Sequence, residues 1–357
     1  MKFVHIADMH FDAPFTSLNS KKDLSEKRRL EQRNVFRKVI EYIEKENVEY
    51  LFISGDLYEH KYIRKSTIEY IDELFRKIPN TKIFISPGNH DPYVKDSFYD
   101  TFEFSDNVFV FRNSRVEKYE DENVNIFGIA FTDFYMNSSP LESLKLPGSN
   151  KPNILIAHVD LNGSNDIYGF SYNPILESKL ATLGFDYCAI GHIHKNNTDN
   201  PYKIYYPGST IALGFDEPGK HGMIVGDITK NSLKMNFVSL DDKEFVELNM
   251  IMDEISSKEK LIEEIKKLEL KENYFYKIGL IGKRNFEINP REIFRLVDID
   301  NVLKISDYTK PNIDIQEIAN QNNLKGYFVR ELLDRYEREL CTEEEFQKAL
   351  EIGLSTM

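Results

Sequence analysis

The amino-acid sequence predicts an α/β fold, or layered sandwich, followed by a second and smaller unit. The first two-thirds of the chain alternates short β-rich runs with helical segments, which is the pattern of such folds. A length of 357 residues predicts about two domains. Hydrophobic residues make up 41% of the chain and charged residues 29%, so the chain has enough apolar surface to fold.

In the first unit, Phe36, Val39, Ile40 and Ile43 lie at helical spacing between the first two β-runs. A second helix is predicted to begin at Ser66, where Ser66 and Glu69 match a capping box. The apolar stripe of that helix contains Ile68, Ile71, Phe75 and Ile78. Further strands are predicted at Asn125–Ala130, Lys203–Tyr206, Met223–Ile228 and near Leu233–Val238.

Beyond about residue 240 the predicted elements are strand Phe245–Met250, a helix, strand Tyr274–Ile281, a short helix and strand Val302–Ile305. Ser256 and Glu259 predict the cap of the first of these helices, and Asn289-Pro290 predicts the start of the second. The chain is predicted to be helical from about Asp314, and Thr342 with Glu345 to cap the last helix. The expected domains are therefore residues 1–240, 241–312 and 313–357.

Composition excludes several classes of protein. No run approaches the ~18 apolar residues of a membrane span, and the N-terminus lacks the apolar region of a signal peptide, which predicts a cytoplasmic protein. Cys188 and Cys341 are too few for a disulfide framework or a thiolate metal cage. The net charge of −13 excludes a generally basic nucleic-acid coat, although bound cations could still bring phosphates to the protein.

Five predicted strands end in side chains that can bind metal. The endings are Asp8 with His10, Gly55-Asp56, Gly88-Asn89-His90-Asp91, His158, and Gly191-His192-Ile193-His194. Functional groups of open α/β sheets gather outside the carboxyl ends of the strands, so these endings can converge. The three glycines suit sharp turns at which the backbone approaches a ligand.

The predicted ligands are carboxylate, imidazole and amide groups, without sulfur. Such donors suit Mn, Fe or Zn, whereas an all-oxygen set would suggest Mg or Ca. Their number exceeds the needs of one ion and matches two ions about 3.5–4 Å apart, which act on both oxygens of an in-line displacement at phosphorus. A single histidine is more often an ordinary core or surface residue, and this interpretation is kept for His5, His60 and His221. Burial of the whole set without ions would be costly.

These motifs resemble those of the calcineurin-like metallophosphoesterases. The segments FVHIADMHFDAPF, SGDLYE and GHIHK, with YPGS at 206–209, are similar to the DNA-repair exonucleases of the SbcD/YhaO group. These are bacterial relatives of the nuclease subunit of the double-strand-break repair complex. The resemblance covers roughly the first 240 residues. It implies a metallophosphoesterase β-sandwich flanked by helices, a small α/β capping domain and a helical C-terminal tail.

The resemblance also implies roles for the site residues. One metal would be held by Asp8, His10, Asp56 and His194, and a second by Asn89, His158 and His192, with Asp56 bridging the two. His90 would face the scissile phosphate and Asp91 would orient an imidazole. The ions would be two divalent cations, Mn²⁺ ahead of Fe or Zn. His60 lies one residue further along than the corresponding histidine of archaeal and eukaryotic enzymes and is left out of the predicted site.

The function that this resemblance implies is a metal-dependent DNA exonuclease of DNA repair, able also to cut single strands internally, through two-metal activation of a bridging hydroxide. A small-molecule phosphodiesterase or phosphatase is the alternative, since one site type serves many substrates. A scaffold subunit that docks an ATPase is a third interpretation. The complete ligand set argues against the scaffold, and the extension beyond residue 242 argues against a minimal small-molecule enzyme.

The implied partners are DNA and a coiled-coil ATPase of the SMC type, and a homodimer is left open. The ATPase is expected on the C-terminal helices, with Phe328, Leu332 and Tyr336 near the centre of the contact. The basic stretch Lys21–Lys38 could contact phosphates, although its interleaved Glu26 and Glu31 are equally typical of an ordinary exposed helix. Aromatic residues are too dispersed along the sequence to mark a base-stacking platform.

Overall fold

The chain forms two compact units. The structure, a computed structural model, describes residues 1–15, 18, 22–163, 169–312 and 314–357, without the side chains of residues 22, 23 and 355. The first unit contains Met1–Val246 and Asn273–Phe275, and the second contains Glu247–Glu272 and Tyr276–Met357. The predicted boundary after residue 240 thus lies inside the first unit. The further division of the second unit at residue 312 stays a prediction.

The first unit is built from short strands and flanking helices. Its strands are β1 (Lys2–Ile6), β2 (Tyr50–Ile53), β3 (Lys82–Ile85), β4 (Val108–Val110), β5 (Glu117–Glu120), β6 (Asn125–Gly128), β7 (Asn153–His158), β8 (Asp160–Leu161), β9 (Pro174–Ile175), β10 (Tyr187–Gly191), β11 (Ile204–Tyr205), β12 (Gly222–Thr229), β13 (Ser232–Ser239) and the first part of β14 (Glu244–Ile251). Its helices are α1 (Lys22–Glu46), α2 (Lys65–Phe75), α3 (Phe98–Thr101), a 3-10 helix (Pro140–Ser143) and α4 (Glu177–Ala181).

Two sheets form the inner layers of this unit. One sheet has the strand order β13-β12-β1-β2-β3-β4 and the other has the order β11-β10-β7-β6-β5. Strands β1 to β4 are mutually parallel, and β6, β7, β10 and β11 are parallel in the second sheet. Parallel pairing places the carboxyl ends of neighbouring strands at the same edge, so the residues that follow those strands meet there.

Apolar side chains from both sheets fill the space between them, including Phe52, Phe84, Ile156 and Tyr187. The outer face of the first sheet packs on α1 and α2, and that of the second packs on α4 and the 3-10 helix. The central strands β2, β7 and β10 are therefore buried on both faces and are apolar without alternation, whereas the outer strands β5 and β13 alternate in exposure. The predicted layered α/β sandwich with flanking helices is confirmed.

Several local predictions for this unit need correction. Helix α2 begins at Lys65, and its N-cap residue Arg64 makes no side-chain cap bond, so the predicted capping box at Ser66 is wrong. The carboxylate of Asp12 accepts hydrogen bonds from the Arg64 amide and the Thr67 hydroxyl instead. Within the basic stretch, Arg28 is buried and pairs with Asp241, and is thus no part of an exposed helix face. Lys21 lies outside the described residues.

The second unit combines a small sheet with helices. Besides the rest of β14, its elements are α5 (Lys258–Lys266), all but the first two residues of β15 (Tyr274–Ile281), β16 (Lys283–Arg284), α6 (Pro290–Val297), β17 (Val302–Asp307), β18 (Lys310–Pro311), α7 (Ile315–Ala319), α8 (Leu324–Glu337) and α9 (Glu343–Thr356). The main sheet has the order β14-β15-β17. Helices α5 and α6 each bury an apolar stripe, Leu261 with Ile265 and Ile293 with Val297.

Local capping sets the helix ends of this unit. Asn289 caps α6 with Pro290 at its first position, and Thr342 with Glu345 forms a capping box on α9, so both predictions are confirmed. The predicted cap of α5 is wrong by one residue, because Ser257 rather than Ser256 accepts the Lys260 amide. In the described part of the chain, every helix is too short or too polar to serve as a membrane span.

Candidate metal centre

The side chains at or just beyond the ends of β1, β2, β3, β7 and β10 lie together at one edge of the first unit. His10 Nε2 lies 3.2 Å from His194 Nε2, although 184 residues separate the two histidines. His192 Nδ1 lies 3.3 Å from His158 Nε2. The predicted convergence of strand ends therefore occurs, and it pairs imidazoles whose ring nitrogens face each other.

Asp56 lies between the two imidazole pairs. Its Oδ2 atom is 3.7 Å from His10 Nε2 and 3.3 Å from His158 Nε2. Asp8 Oδ1 is 3.8 Å from His194 Nε2. Two groups of ligand atoms, each within 4.8 Å of one another, are thereby formed: Asp8 with His10 and His194, and Asp8 with Asp56 and His158. Asp8 belongs to both groups and Asp56 to the second, and together the groups offer ligands for two neighbouring cations.

Three of these imidazoles have one nitrogen already engaged. The Nδ1 atoms of His10, His158 and His194 donate to Glu59 at 2.8 Å, to the Ser54 carbonyl at 2.9 Å and to Glu217 at 2.6 Å. An imidazole that donates through Nδ1 keeps an Nε2 lone pair for a metal. All three Nε2 atoms point into the cluster, so the donor set suits divalent cations.

Asn89 supplies an independent sign of a cation. Its Oδ1 atom is buried and has no hydrogen-bond partner among the described residues. A buried amide oxygen without a donor is costly, and a hard cation would relieve that cost. Asn89 lies between Gly88 and His90, whose amides donate to Asp91 and Asp56 respectively. The hydrogen bond from His90 to Asp56 thereby connects the loop after β3 to the residue that follows β2.

The backbone of the site is strained. Asp8, His10 and Asp56 have φ angles of 50°, 48° and 52°, and His192 has a φ of 109°. Left-handed conformations of residues other than glycine cost about 1–3 kcal/mol each and cluster at functional sites. Hydrogen bonds between strand ends hold them: the Asp8 and His10 amides donate to the carbonyls of Gly55 and Asp56.

Two of the predicted glycines are required by close approach to other site residues. Gly55 has a φ of 90°, and a Cβ there would lie 2.5 Å from His158 Nδ1. A Cβ on Gly88 would overlap the Asp56 carboxylate. The glycines were expected to let the backbone approach a ligand. Their role among the described residues is to let the ligand side chains pack against one another.

Asp91 differs from its predicted role. Its carboxylate accepts hydrogen bonds from the amides of Asp56, Leu57 and Gly88 and from the Tyr99 hydroxyl. Burial, together with the charge of Asp56, raises the pKa of Asp91 to about 7. These bonds stabilise the loops that carry the site, and among the described residues none of them goes to an imidazole.

The imidazole partners that sequence reasoning missed are Glu59 and Glu217. Glu59 also accepts from His90 Nδ1 at 3.1 Å, so it links the first histidine to the loop after β3. Its place at the end of the SGDLYE segment was a usable signal. Glu217 lies in the loop between β11 and β12, eight residues beyond the YPGS segment, and no sequence pattern singled it out. Carboxylates of this kind fix the ring orientation of metal-binding histidines.

The electrostatics of the site favour positive charge. Burial would raise the pKa of Asp56, but the imidazoles of His158, His90 and His10 hold it well below its usual range. Burial would lower the pKa of His158, but Asp56 raises it to about 9, and Glu217 and Asp8 similarly raise the pKa of His194 to about 9. The same negative field attracts divalent cations.

The other histidines separate clearly from the cluster. His5 is buried and hydrogen-bonded to Tyr187 and Ser54, and His221 is buried and hydrogen-bonded to Ser209, so both are core residues as expected. The amide of His60 donates to the His90 carbonyl, and the ring of His60 contacts Phe134.

His90 is the most exposed of the site imidazoles, with 45% of its side chain accessible. A third ligand group, His10 with Glu59 and His90, includes it.

Two neighbouring groups of candidate metal ligands lie at the strand ends of this layered sandwich. Sites with two metals are used for in-line displacement at phosphorus. The fold and this edge together define a metal-dependent phosphoesterase. The family model described as calcineurin-like phosphoesterase matches residues 1–196 of the chain. This is more than half of its length, and the chain belongs to that family, whose members bind divalent metals and hydrolyse phosphoesters.

Two relatives are similar to this chain at modest identity. The SbcD component of the nuclease SbcCD of Staphylococcus epidermidis is 28% identical over 310 residues, which cover 77% of this chain and 78% of the relative. The uncharacterized metallophosphoesterase YhaO of Bacillus subtilis is 23% identical over 253 residues. That match covers 68% of this chain and 61% of YhaO, so the chain spans about three-fifths of this second relative.

Proposed function

We propose that the protein is a metal-dependent DNA exonuclease that also cuts single strands internally and acts in DNA repair. The observation that supports this proposal most is the length of the sequence match to the SbcD subunit of the Staphylococcus epidermidis nuclease. The match covers 77% of this chain, about 275 residues, whereas the first unit has 249, so the match must include part of the second unit. A minimal small-molecule phosphoesterase would need only the sandwich that carries the site.

In this proposal, some residues of the centre bind metal and others orient the metal-binding imidazoles. Asp8, His10 and His194 would hold one cation, and Asn89, His158 and His192 a second, with Asp56 touching both. A ligand set of nitrogen and oxygen donors without sulfur suits Mn²⁺, and Fe and Zn are the alternative metals. When bound, the two ions supply activation of water and neutralisation of charge on the phosphoryl group. Glu59 and Glu217 keep the imidazoles in the orientation that this requires.

His90 would protonate the leaving oxygen. Its exposed ring lies at the mouth of the centre, and its Nδ1 donates to Glu59. Burial would lower the pKa of His90, but the Glu59 hydrogen bond and the Asp56 charge raise it to about 9. The ring therefore carries a proton at neutral pH and can transfer it during bond cleavage.

The activity is tested by comparing substrates in one assay. Purified protein with Mn²⁺ would be given end-labelled linear duplex, single strands and a generic phosphodiester in parallel. We expect Mn²⁺-dependent shortening of the DNA from its ends. If the protein hydrolysed the small ester but left the DNA uncut, the result would contradict the proposal and favour a small-molecule phosphodiesterase.

We further propose that an SMC-type ATPase docks on α7 to α9. Of the three residues predicted at the centre of that contact, Leu332 is buried and Phe328 packs against the core of these helices, whereas Tyr336 is 37% exposed and stays in the predicted contact. Tyr327, Leu340 and Ile352 are exposed and offer apolar surface to a coiled coil. A homodimer and a cytoplasmic location stay predictions.

Docking is tested on the full chain with the variant Tyr327→Ser/Leu340→Ser. We expect it to lose co-purification with the ATPase while its turnover of a small phosphodiester stays normal. Tyr202→Ser, which removes another exposed aromatic side chain in the first unit, is the control. Normal ATPase capture by the double variant would place the contact elsewhere.

A further inference from the structure

A basic cavity opens on the first unit beside the candidate metal centre. Its volume is about 490 Å³, and its lining includes Asp12, Arg29, Arg33, Tyr62 and Arg64, which we call the arginine pocket. Three guanidinium groups in one cavity are unusual for a chain whose net charge is −13. The pocket is therefore a local exception to the acidic character of the protein.

The positive charge of the pocket is only partly neutralised. Asp12 is engaged, because its Oδ2 atom accepts hydrogen bonds from the Arg64 amide and the Thr67 hydroxyl. Glu26 is the other carboxylate of the lining. Among the described residues, the guanidinium groups of Arg29 and Arg64 have no ion-pair partner. Within the described part of the chain, two cationic groups of the cavity are thus left for a ligand.

One arginine is held in place by neighbouring side chains. Arg33 donates from an Nη atom to the Thr67 hydroxyl at 3.1 Å, and its guanidinium lies 5.2 Å from the centre of the Tyr70 ring. The same hydroxyl donates to Asp12, so Arg33 and Asp12 share Thr67. Arg33 is therefore held in one orientation, whereas among the described residues the guanidinium groups of Arg29 and Arg64 have no such partner.

Both walls of the pocket are anchored on residues of the metal centre. Asp12 follows the candidate ligand His10 by two residues, which limits their Cα separation to about 7 Å. The Tyr62 amide donates to the carbonyl of Glu59, whose side chain binds both His10 and His90. The pocket and the metal centre are therefore joined by two short chain segments, His10 to Asp12 and Glu59 to Tyr62.

We propose that the arginine pocket binds the phosphate and nucleoside adjacent to the scissile bond of a DNA strand, an assignment that rests on the proposed nuclease function. Guanidinium groups bind phosphate oxygens in a bidentate manner, which an ammonium group cannot do. The Tyr62 ring, 45% exposed, offers a face on which a base can stack. The pocket thus selects polymeric phosphodiesters over short esters.

The test compares a substrate that reaches the pocket with one that does not. Arg29→Gln and Arg64→Gln would be assayed on a labelled single-stranded oligonucleotide and on bis(4-nitrophenyl) phosphate. We expect kcat/KM for the oligonucleotide to fall about tenfold for each variant, as for the loss of a charged hydrogen bond. The dependence of its KM on salt should weaken by about 0.7 in logarithmic slope for each lost phosphate contact. Turnover of the small ester should be unchanged.

Two controls keep the result interpretable. Arg115→Gln changes an exposed arginine in the turn before β5 and should leave both substrates unaffected. Arg64→Lys keeps the charge without the bidentate geometry, so it should retain most of the salt slope but not the full kcat/KM.

Three outcomes would overturn the inference. Oligonucleotide kinetics equal to those of Arg115→Gln would remove the pocket from the path of the DNA. An equal loss on both substrates would show that the arginines act through the metal centre rather than through the polymer. A wild-type protein that hydrolyses the ester but neither binds nor cuts any oligonucleotide would overturn the proposed nuclease function and this inference with it.

Discussion

The metal-centre edge of the first unit and the helices α7 to α9 of the second unit are stabilised in opposite ways. At the metal centre, the bonds join residues far apart in sequence, such as His194 to Asp8 and His158 to Asp56. In α9, the bonds of the cap join residues three apart, Thr342 to Glu345. Four residues of the metal centre have positive φ angles. Among the described residues from α7 to α9, only Glu339 has one.

This difference predicts which amino-acid substitutions each region tolerates. The site concentrates buried charge and backbone strain, which cost stability and persist only because the surrounding sheets are packed on both faces. The C-terminal helices instead combine side-chain caps with a small apolar cluster of Val329, Phe346 and Leu350. We therefore expect substitutions at the site to remove function, and substitutions in the helices to remove local stability.

The largest effect is expected for Asp56→Asn. The variant keeps the volume and an acceptor for the His90 amide but loses the charge that, in our proposal, both cations share. We expect metal content, measured by elemental analysis under Mn²⁺ saturation, to fall, and phosphodiesterase activity to fall to background, with the fold retained by circular dichroism. The control is Asp72→Asn, another buried carboxylate, which accepts the Ser105 amide and should keep full activity. Two metals bound normally by Asp56→Asn would contradict the shared-ligand assignment.

A smaller loss is expected for His90→Gln. General acid catalysis contributes roughly 10²–10⁴-fold, so kcat should fall by about that factor while metal content is preserved. His192→Gln should instead weaken binding of one metal. Equal loss of metal by both variants would favour the third ligand group, in which His90 itself binds a cation.

The pH profile checks the same assignment. The pKa of His90 is raised to about 9, so the acid is present below that pH and is lost as the pH rises through it. The wild-type rate should therefore decline above about pH 9, and His90→Gln should lack this decline. A decline of the same size in both proteins would assign it to another group.

A moderate effect is expected for Glu217→Gln. Glu217 accepts from His194 Nδ1 at 2.6 Å and from the Ser209 hydroxyl at 2.8 Å, so it orients a ligand without binding substrate. Loss of such a partner costs about 10–100-fold in metal affinity. Activity should thus require more Mn²⁺ but return at saturation, with Glu49→Gln, a surface carboxylate that accepts the Lys2 amide, as control. Failure of added Mn²⁺ to restore activity would indicate a role beyond orientation.

The smallest effect is expected for Thr342→Ala in α9. Removal of an N-cap residue costs about 0.5–2 kcal/mol of helix stability. Hydrogen exchange of the first-turn amides should accelerate, while phosphodiester turnover stays unchanged. Ser256→Ala, which removes an exposed serine hydroxyl immediately before the N-cap residue of α5, should change neither measurement. Altered turnover in Thr342→Ala would show that the two regions are energetically coupled.

The sequence alone determined the chemical inventory of the site and much of the local structure. Apolar runs that end in Asp8, Asp56 and His158 predicted both the strands and their meeting point, because parallel strands share an edge. The caps of α6 and α9 were predictable for a different reason. A cap is a bond between residues two or three apart, so its partners are visible in the sequence.

Only the tertiary structure decided the partners that come from distant segments. Glu217 meets His194, Asp12 accepts from the start of α2, and Arg28 pairs with Asp241 across 213 residues. Likewise, Phe328 and Leu332 look available on an amphipathic helix, but packing against α9 covers them. Such contacts depend on which segments fold together, and neither helical nor strand periodicity encodes that information, because periodicity reports only which face of an element is apolar.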